Sequence, residues 1–262
     1  LHIDHVQGDP FAAPSRLRFE VKKEKHGFPE EYYGEKHRKL ALEDQVLRKF
    51  LRTLRQLDKG SMGSGKSGRI TVCPANQTVQ ERIAVIFGKE KMELRFEMGF
   101  PARGRTILAR EMQKLVFEIL PQLAEQCLFY RNWDVCGKSV LEHAIFLADD
   151  QKILREEIKK RGLTAFIANG AILPRESGVS DRPMRDAVPF VSPESLQIEI
   201  ELPHKGKIVG MGIPEGITVI VGGGYHGKST LLKVLEQGVY NHIAGDGREY
   251  VVADNSGMKI RA

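Results

Sequence analysis

The stretch Ile217-Thr218-Val219-Ile220-Val221-Gly222-Gly223-Gly224-Tyr225-His226-Gly227-Lys228-Ser229-Thr230 decides how this chain is read. Its first five residues form an unbroken β-branched run, which predicts a strand buried on both faces. The next eight, Gly222 to Ser229, match G-x-x-x-x-G-K-[ST], and Ser229 to Glu236 continue as a helical run. Strand, glycine loop and helix are the frame that a phosphate-binding loop requires. The glycines let amide N–H groups turn inward as an anion nest. The helix N-terminus adds partial positive charge. In that frame Lys228 neutralises β- and γ-phosphates, and the Ser229 hydroxyl ligates Mg²⁺. The candidate nucleotide-binding residues are Gly222, Gly223, Gly224, Tyr225, His226, Gly227, Lys228, Ser229 and Thr230. Lys228 and Ser229 are the candidate catalytic groups, Ser229 is the metal ligand, and ATP or ADP with Mg²⁺ is the expected cofactor.

A second stretch, Gly60-Ser61-Met62-Gly63-Ser64-Gly65-Lys66-Ser67, fits the same pattern. Here a helix precedes and a strand follows, so the amides have no frame that makes them converge on a phosphate. It reads instead as a mobile basic loop, with Lys59, Lys66 and Arg69 placed to meet an anionic polymer such as RNA.

Working outward, a phosphate loop that hydrolyses also needs acids for Mg²⁺ and water. Tyr250-Val251-Val252-Ala253-Asp254 is strand-like and ends in a candidate acid. Ile145 to Asp150 ends in Asp149 and Asp150 but lies within a helical pattern, so it reads as helix core. Other helices are expected from His37 to Leu57, from Thr106 to Tyr130 with a break at Pro121, and from Ser139 to Arg161, stopped at Gly162. Residues 1–6 and 16–21 look extended around a Gly8-Asp9-Pro10 turn. Ile70 to Cys73, Ile83 to Phe87 and Leu94 to Met98 read as strands, the last two as a hairpin. Leu196 to Leu202 alternates like a half-exposed strand. A domain boundary is expected near residue 161, giving residues 1–161 and 162–262.

The 262 residues carry 40 Lys and Arg against 34 Asp and Glu, a net charge of +6. The excess is uneven: residues 1–120 hold 23 basic against 16 acidic residues, and residues 121–262 hold 17 against 18. A basic first half suits an anionic partner or a solvated surface. Arg103, Arg105 and Arg110 sit in and after a Gly-Pro loop, where phosphate contact and a salt-bridged loop are both open. Arg175 and Arg182 flank a Ser-Gly turn. Asp246 and Arg248 suit an internal ion pair. Phe19, Tyr32 and Tyr33 suit either base stacking or core. Three scattered cysteines form no disulfide framework or zinc motif. No run of 18 apolar residues and no signal region occurs, so a soluble protein of a reducing intracellular compartment is expected, with no membrane. The chain begins without Met and reads as part of a longer protein.

Residues 209–249 resemble the ATPases of the ABC class. Tyr225 and His226 inside the loop, and Gly245-Asp246-Gly247-Arg248-Glu249 after it, carry the resemblance more specifically than the loop pattern alone. Residues 7–15, 99–105 and 171–178 extend it over nearly the whole chain. The resemblance implies an α/β fold: a P-loop NTPase of ABC-ATPase type, present as a partial core, preceded by an α+β N-terminal domain. It implies a homodimer that closes on MgATP, with the water-aligning acid and signature loop beyond the residues seen here. One member is associated with the mitochondrial RNA-editing machinery of trypanosomes, which implies RNA as a partner, bound through Lys59, Lys66, Arg69, Arg103 and Arg105, and a mitochondrial location. The alternative is a nucleic-acid binding module that uses nucleotide as a structural or switching ligand. A small-molecule kinase is a third reading.

Overall fold

The computed structural model describes residues 1–57, 60 and 63–260. In chain order its elements are β1 (His2–His5), β2 (Ser15–Lys22), α1 (Lys23–His26), α2 (Lys36–Leu57), β3 (Ile70–Thr71), β4 (Thr78–Val79), β5 (Val85–Phe87) and β6 (Lys91–Met98). Then come β7 (Ala102–Arg103), β8 (Thr106–Ile107), α3 (Ala109–Lys114), a π-helical turn over Leu115–Ile119, α4 (Leu120–Leu128) and α5 (Val135–Lys160). The chain continues through β9 (Leu163–Ala168), β10 (Gln197–Leu202), β11 (Gly206–Pro214), α6 (Lys228–Gln237), β12 (Asn241–His242) and β13 (Val251–Ala253). Two compact units emerge: residues 1–75 with 81–141, and residues 76–80 with 142–262. The division falls inside α5, where the sequence reading puts it at the helix end.

In the first unit an antiparallel sheet runs β1-β2-β6-β3, with β5 also pairing β6. Alternation along β2 and β6 turns Leu17, Phe19, Val21, Met92, Leu94, Phe96 and Met98 to one buried face. The buried Leu42, Val46, Leu47 and Phe50 of α2 belong to the same core, and Phe50 meets Phe96 ring to ring. Each such side chain contributes about 1.5–3 kcal/mol on burial. Phe19 and Tyr32 are core residues, not stacking platforms. Between α3 and α4 the helix widens into its π-helical turn just before Pro121, which has no N–H to donate and so marks the expected break.

Helix α2 buries two acids as well. Asp44 is held by Arg48 at 2.5 Å and Arg82 at 3.3 Å. Glu43 accepts the backbone N–H of Phe87 (2.8 Å), an edge amide of β5. Burial pushes the Glu43 carboxyl up to about 7. Because that value exceeds the unfolded one, the folded state binds the proton more tightly, so this group's contribution falls as pH rises from about 4.5 through about 7. Glu43→Gln keeps an acceptor for Phe87 and removes the titration. Urea unfolding at pH 5 and pH 8 should show the variant gaining roughly 1–3 kcal/mol on the parent at the higher pH.

In the second unit the sheet order is β10-β11-β9-β13, all antiparallel. Phe166, Ala168, Ile200, Leu202, Ile208 and Val252 pack with Leu154 and Ile158 of α5. Ala165, Ile167, Met211, Ile213, Val251 and Ala253 pack with Leu231, Val234 and Leu235 of α6. The sheet is thus filled between two helices, and α6 is positioned by its apolar stripe. The expected helix over residues 145–150 holds, and its acids brace the β10–β11 turn: Asp150 accepts the N–H groups of His204 and Lys205, while Asp149 meets His204 Nε2 at 3.0 Å.

The run 217–221 is not the doubly buried strand that its composition predicts. Among the described residues no strand pairs with it, and Ile217, Val219 and Val221 are 98, 74 and 81% exposed. A β-branched run forms a strand only where a neighbour completes its hydrogen-bond ladder. Here β11 ends at Pro214 before the run begins. Strand β11, in turn, was not legible, because it carries glycines inside a strand pattern. At Gly210 a Cβ would lie 2.3 Å from the Ile167 carbonyl oxygen, so the sheet needs a residue without one.

Candidate functional site

Residues 222–230 turn from the exposed run into α6 with no intervening element. Gly227 is the N-cap of α6 at φ 77° and Tyr225 sits at φ 62°, so the loop makes two left-handed turns within three residues. The Tyr225 ring is fully exposed. His226 Nδ1 accepts the Gly223 N–H (3.2 Å), which assigns His226 to bracing the loop. The helical stripe below α6's first turn anchors its free N–H groups, while Ser229 and the glycines stay exposed.

Lys228 reaches back over the loop. Its Nζ donates to the Gly222 carbonyl at 2.7 Å and to the Gly223 carbonyl. The ammonium therefore lies over the concave side of the turn, held by carbonyl oxygens where phosphate oxygens are stronger acceptors. The donor set fits a nucleotide: loop amides, a helix N-terminus of ten residues, one ammonium, and the adjacent hydroxyls of Ser229 and Thr230. Those are the groups that would hold phosphates and Mg²⁺.

Asp254, the candidate acid at the end of β13, is bonded locally through one carboxylate oxygen. Its Oδ1 accepts both the Ser256 N–H (2.8 Å) and the Ser256 hydroxyl (2.5 Å), and the hydroxyl bond leads the effects that hold its carboxyl below the ordinary range. It caps the turn that ends β13.

The second glycine stretch is not a mobile loop where it is described. Ser64 N–H donates to the Ala102 carbonyl (2.8 Å), Gly68 N–H to Gly99 (2.7 Å), and the buried Ser67 hydroxyl accepts the Ala102 N–H (3.1 Å). A Cβ at Gly63 would come within 2.1 Å of the Ala102 oxygen. The glycines serve close packing, so the pattern has a structural cause. Lys59 lies outside the described residues. Lys66, Arg69, Arg103 and Arg105 are exposed, and none has a carboxylate partner among the described residues. The interlocked segments 63–69 and 99–107 bring these four onto one set of loops. The latter borders a cavity of about 440 Å³ lined by Gln7, Pro10, Phe100, Pro101, Arg105 and Ile107.

The expected Asp246–Arg248 pair does not form. Asp246 takes Arg175 instead, at 2.7 Å, because Arg248 turns to the Leu173 carbonyl. Sequence spacing offered no signal for a partner so far along the chain.

Comparison with known proteins agrees with these two halves. A model for the N-terminal domain of ATPases of the ABC class matches residues 1–131, and a P-loop domain model of that class matches residues 137–262. The chain belongs to the ATPases of the ABC class. Part of it is also 38% identical over 115 residues to an uncharacterized protein of Methanocaldococcus jannaschii. That match covers 41% of this chain and 26% of the archaeal protein, so it spans about a quarter of the relative's length. For this ABC-class ATPase, the mixed α/β architecture with a separate N-terminal half is the fold that its sequence implied. No described helix is long and apolar enough to cross a membrane.

Proposed function

We propose that this chain binds MgATP at residues 222–230 and hydrolyses it as a homodimer. Lys228, folded over its own loop carbonyls, is the observation that carries the reading. On nucleotide entry the ammonium exchanges those carbonyls for phosphate oxygens, and Ser229 takes a place in the Mg²⁺ shell. Asp254 Oδ1 already accepts two bonds from Ser256, and in this reading the acid that aligns water comes from outside this loop and its helix, while closure with a second copy completes the site. Those two bonds also favour a second reading, in which nucleotide is a switching ligand with little turnover. Steady-state phosphate release from MgATP separates the two: turnover that depends on protein concentration supports the dimeric ATPase, and tight binding without turnover supports the switch.

In the same proposal the basic loops of the first unit bind RNA through its phosphates. Lys66, Arg69, Arg103 and Arg105, unpaired among the described residues, support it. Four phosphate contacts on a single strand give a slope of log affinity against log salt of about −3. The double variant Arg103→Ala, Arg105→Ala should bring that slope to about −1.4 in a filter-binding titration with a single-stranded RNA. An unchanged slope would remove these two arginines from the interface.

A further inference from the structure

The second unit contains another cavity, of about 180 Å³, that shares no residue with the loop at 222–230. Arg175, Lys233, His242 and Arg248 line it, with the Gln77 and Asp181 side of the unit opposite. Its charge is unbalanced. Three lining cations, Arg175, Lys233 and Arg248, face one lining carboxylate, Asp181, which already accepts the Gln77 N–H (3.0 Å). Asp246 behind the wall meets Arg175 through Oδ2, which offsets that cation and leaves Lys233 and Arg248 as the lining cations without an ion pair among the described residues, while its Oδ1 has no hydrogen-bond partner. Arg248 is 3% exposed and has no carboxylate partner among the described residues.

The buried polar atoms tell the same story. Arg248 Nε has no hydrogen-bond partner, and neither has His242 Nε2 on a ring that is 2% exposed. His242 Nδ1 lies 2.7 Å from Asp246 Oδ2 without the alignment of a hydrogen bond. Arg248 does reach the Leu173 carbonyl through Nη2, but a buried polar atom left unpaired is costly, and such orphans in a native site call for an unseen water, ion or ligand. Burial first, and then the nearby Arg175, hold the Arg248 guanidinium down to about 10, although Asp246 acts in the opposite direction.

We propose that this cavity is an oxyanion site, which takes one phosphate group between Arg248, His242 and Lys233. The size decides the class. A cavity of about 180 Å³ is below the roughly 300–1,000 Å³ of drug-sized ligand sites and suits a single phosphate group. Free phosphate and a small phosphomonoester share this chemistry.

The test uses the full chain carrying Lys228→Ala, which silences the loop at 222–230 as a competing phosphate site. Inorganic phosphate is titrated by calorimetry while the His242 ring signals are followed by NMR. Saturable binding at one site, with the His242 signals moving at the same midpoint, is expected. Lys233 is exposed, so Lys233→Glu leaves the fold intact and should weaken phosphate about tenfold or more by reversing one facing charge. Glycerol phosphate forms the second arm: binding as tight as inorganic phosphate assigns a phosphomonoester, and rejection assigns the free ion. Absence of saturable binding, or equal affinity in Lys233→Glu, overturns the site.

Discussion

Lys228→Ala is expected to weaken MgATP binding by about 100-fold or more, since a charge-assisted contact to phosphate is lost and every 1.4 kcal/mol is tenfold. The fold should survive. The Lys228 side chain contacts only exposed loop carbonyls, and α6 is held from below by Leu231, Val234 and Leu235. Lys66→Ala is the matched control. Lys66 occupies the same position in a look-alike pattern, yet its loop is locked onto Ala102 and Gly99 and presents no nest of free amides. Nucleotide affinity should be unchanged there. A fluorescent ADP titration of the two variants, with unfolding midpoints measured alongside, checks both halves.

Arg155→Ala is expected to cost about 2–3 kcal/mol of stability, since it leaves several part-buried carbonyl and amide oxygens without their donor. From α5 its guanidinium donates to the carbonyls of Ala253 (2.6 Å) and Gly238 (3.0 Å) and twice to Asn241 Oδ1. It thereby ties together the end of α6, the start of β12 and the end of β13. Burial holds the guanidinium down, to about 10, so its desolvation is already a cost that those bonds offset. Arg155→Lys should rescue little, because one ammonium cannot reproduce a planar fork that reaches three segments. Urea unfolding followed by far-UV circular dichroism reads the loss.

The sequence was most informative where local rules and tertiary context agree. The α2 and α5 helices, the β5–β6 hairpin and the β10 alternation all have their period written in neighbouring residues. It failed where a partner far along the chain decides. Residues 217–221 have the composition of a core strand, but a ladder neighbour, not composition, makes a strand. Strand β11 was hidden by Gly210, whose reason is a close approach to Ile167. Glu43 and Asp44 interrupt the apolar face of α2, and only Phe87, Arg48 and Arg82 explain why they lie inside. At the candidate site the start of α6 at Lys228 was legible, but the strand expected before the loop does not form. The fate of Asp254 was not legible, because Ser256 two residues later looks like any turn residue. Nor did spacing reveal that Arg175 would take Asp246 while Arg248 turned to the Leu173 carbonyl.

The claim that nucleotide is bound at residues 222–230 is tested most directly by amide hydrogen exchange with and without MgADP. The expected result is strong protection of the loop amides and of the first turn of α6, with residues 63–68 unchanged. Protection at 63–68, or none at 222–230 under saturating MgADP, would contradict it.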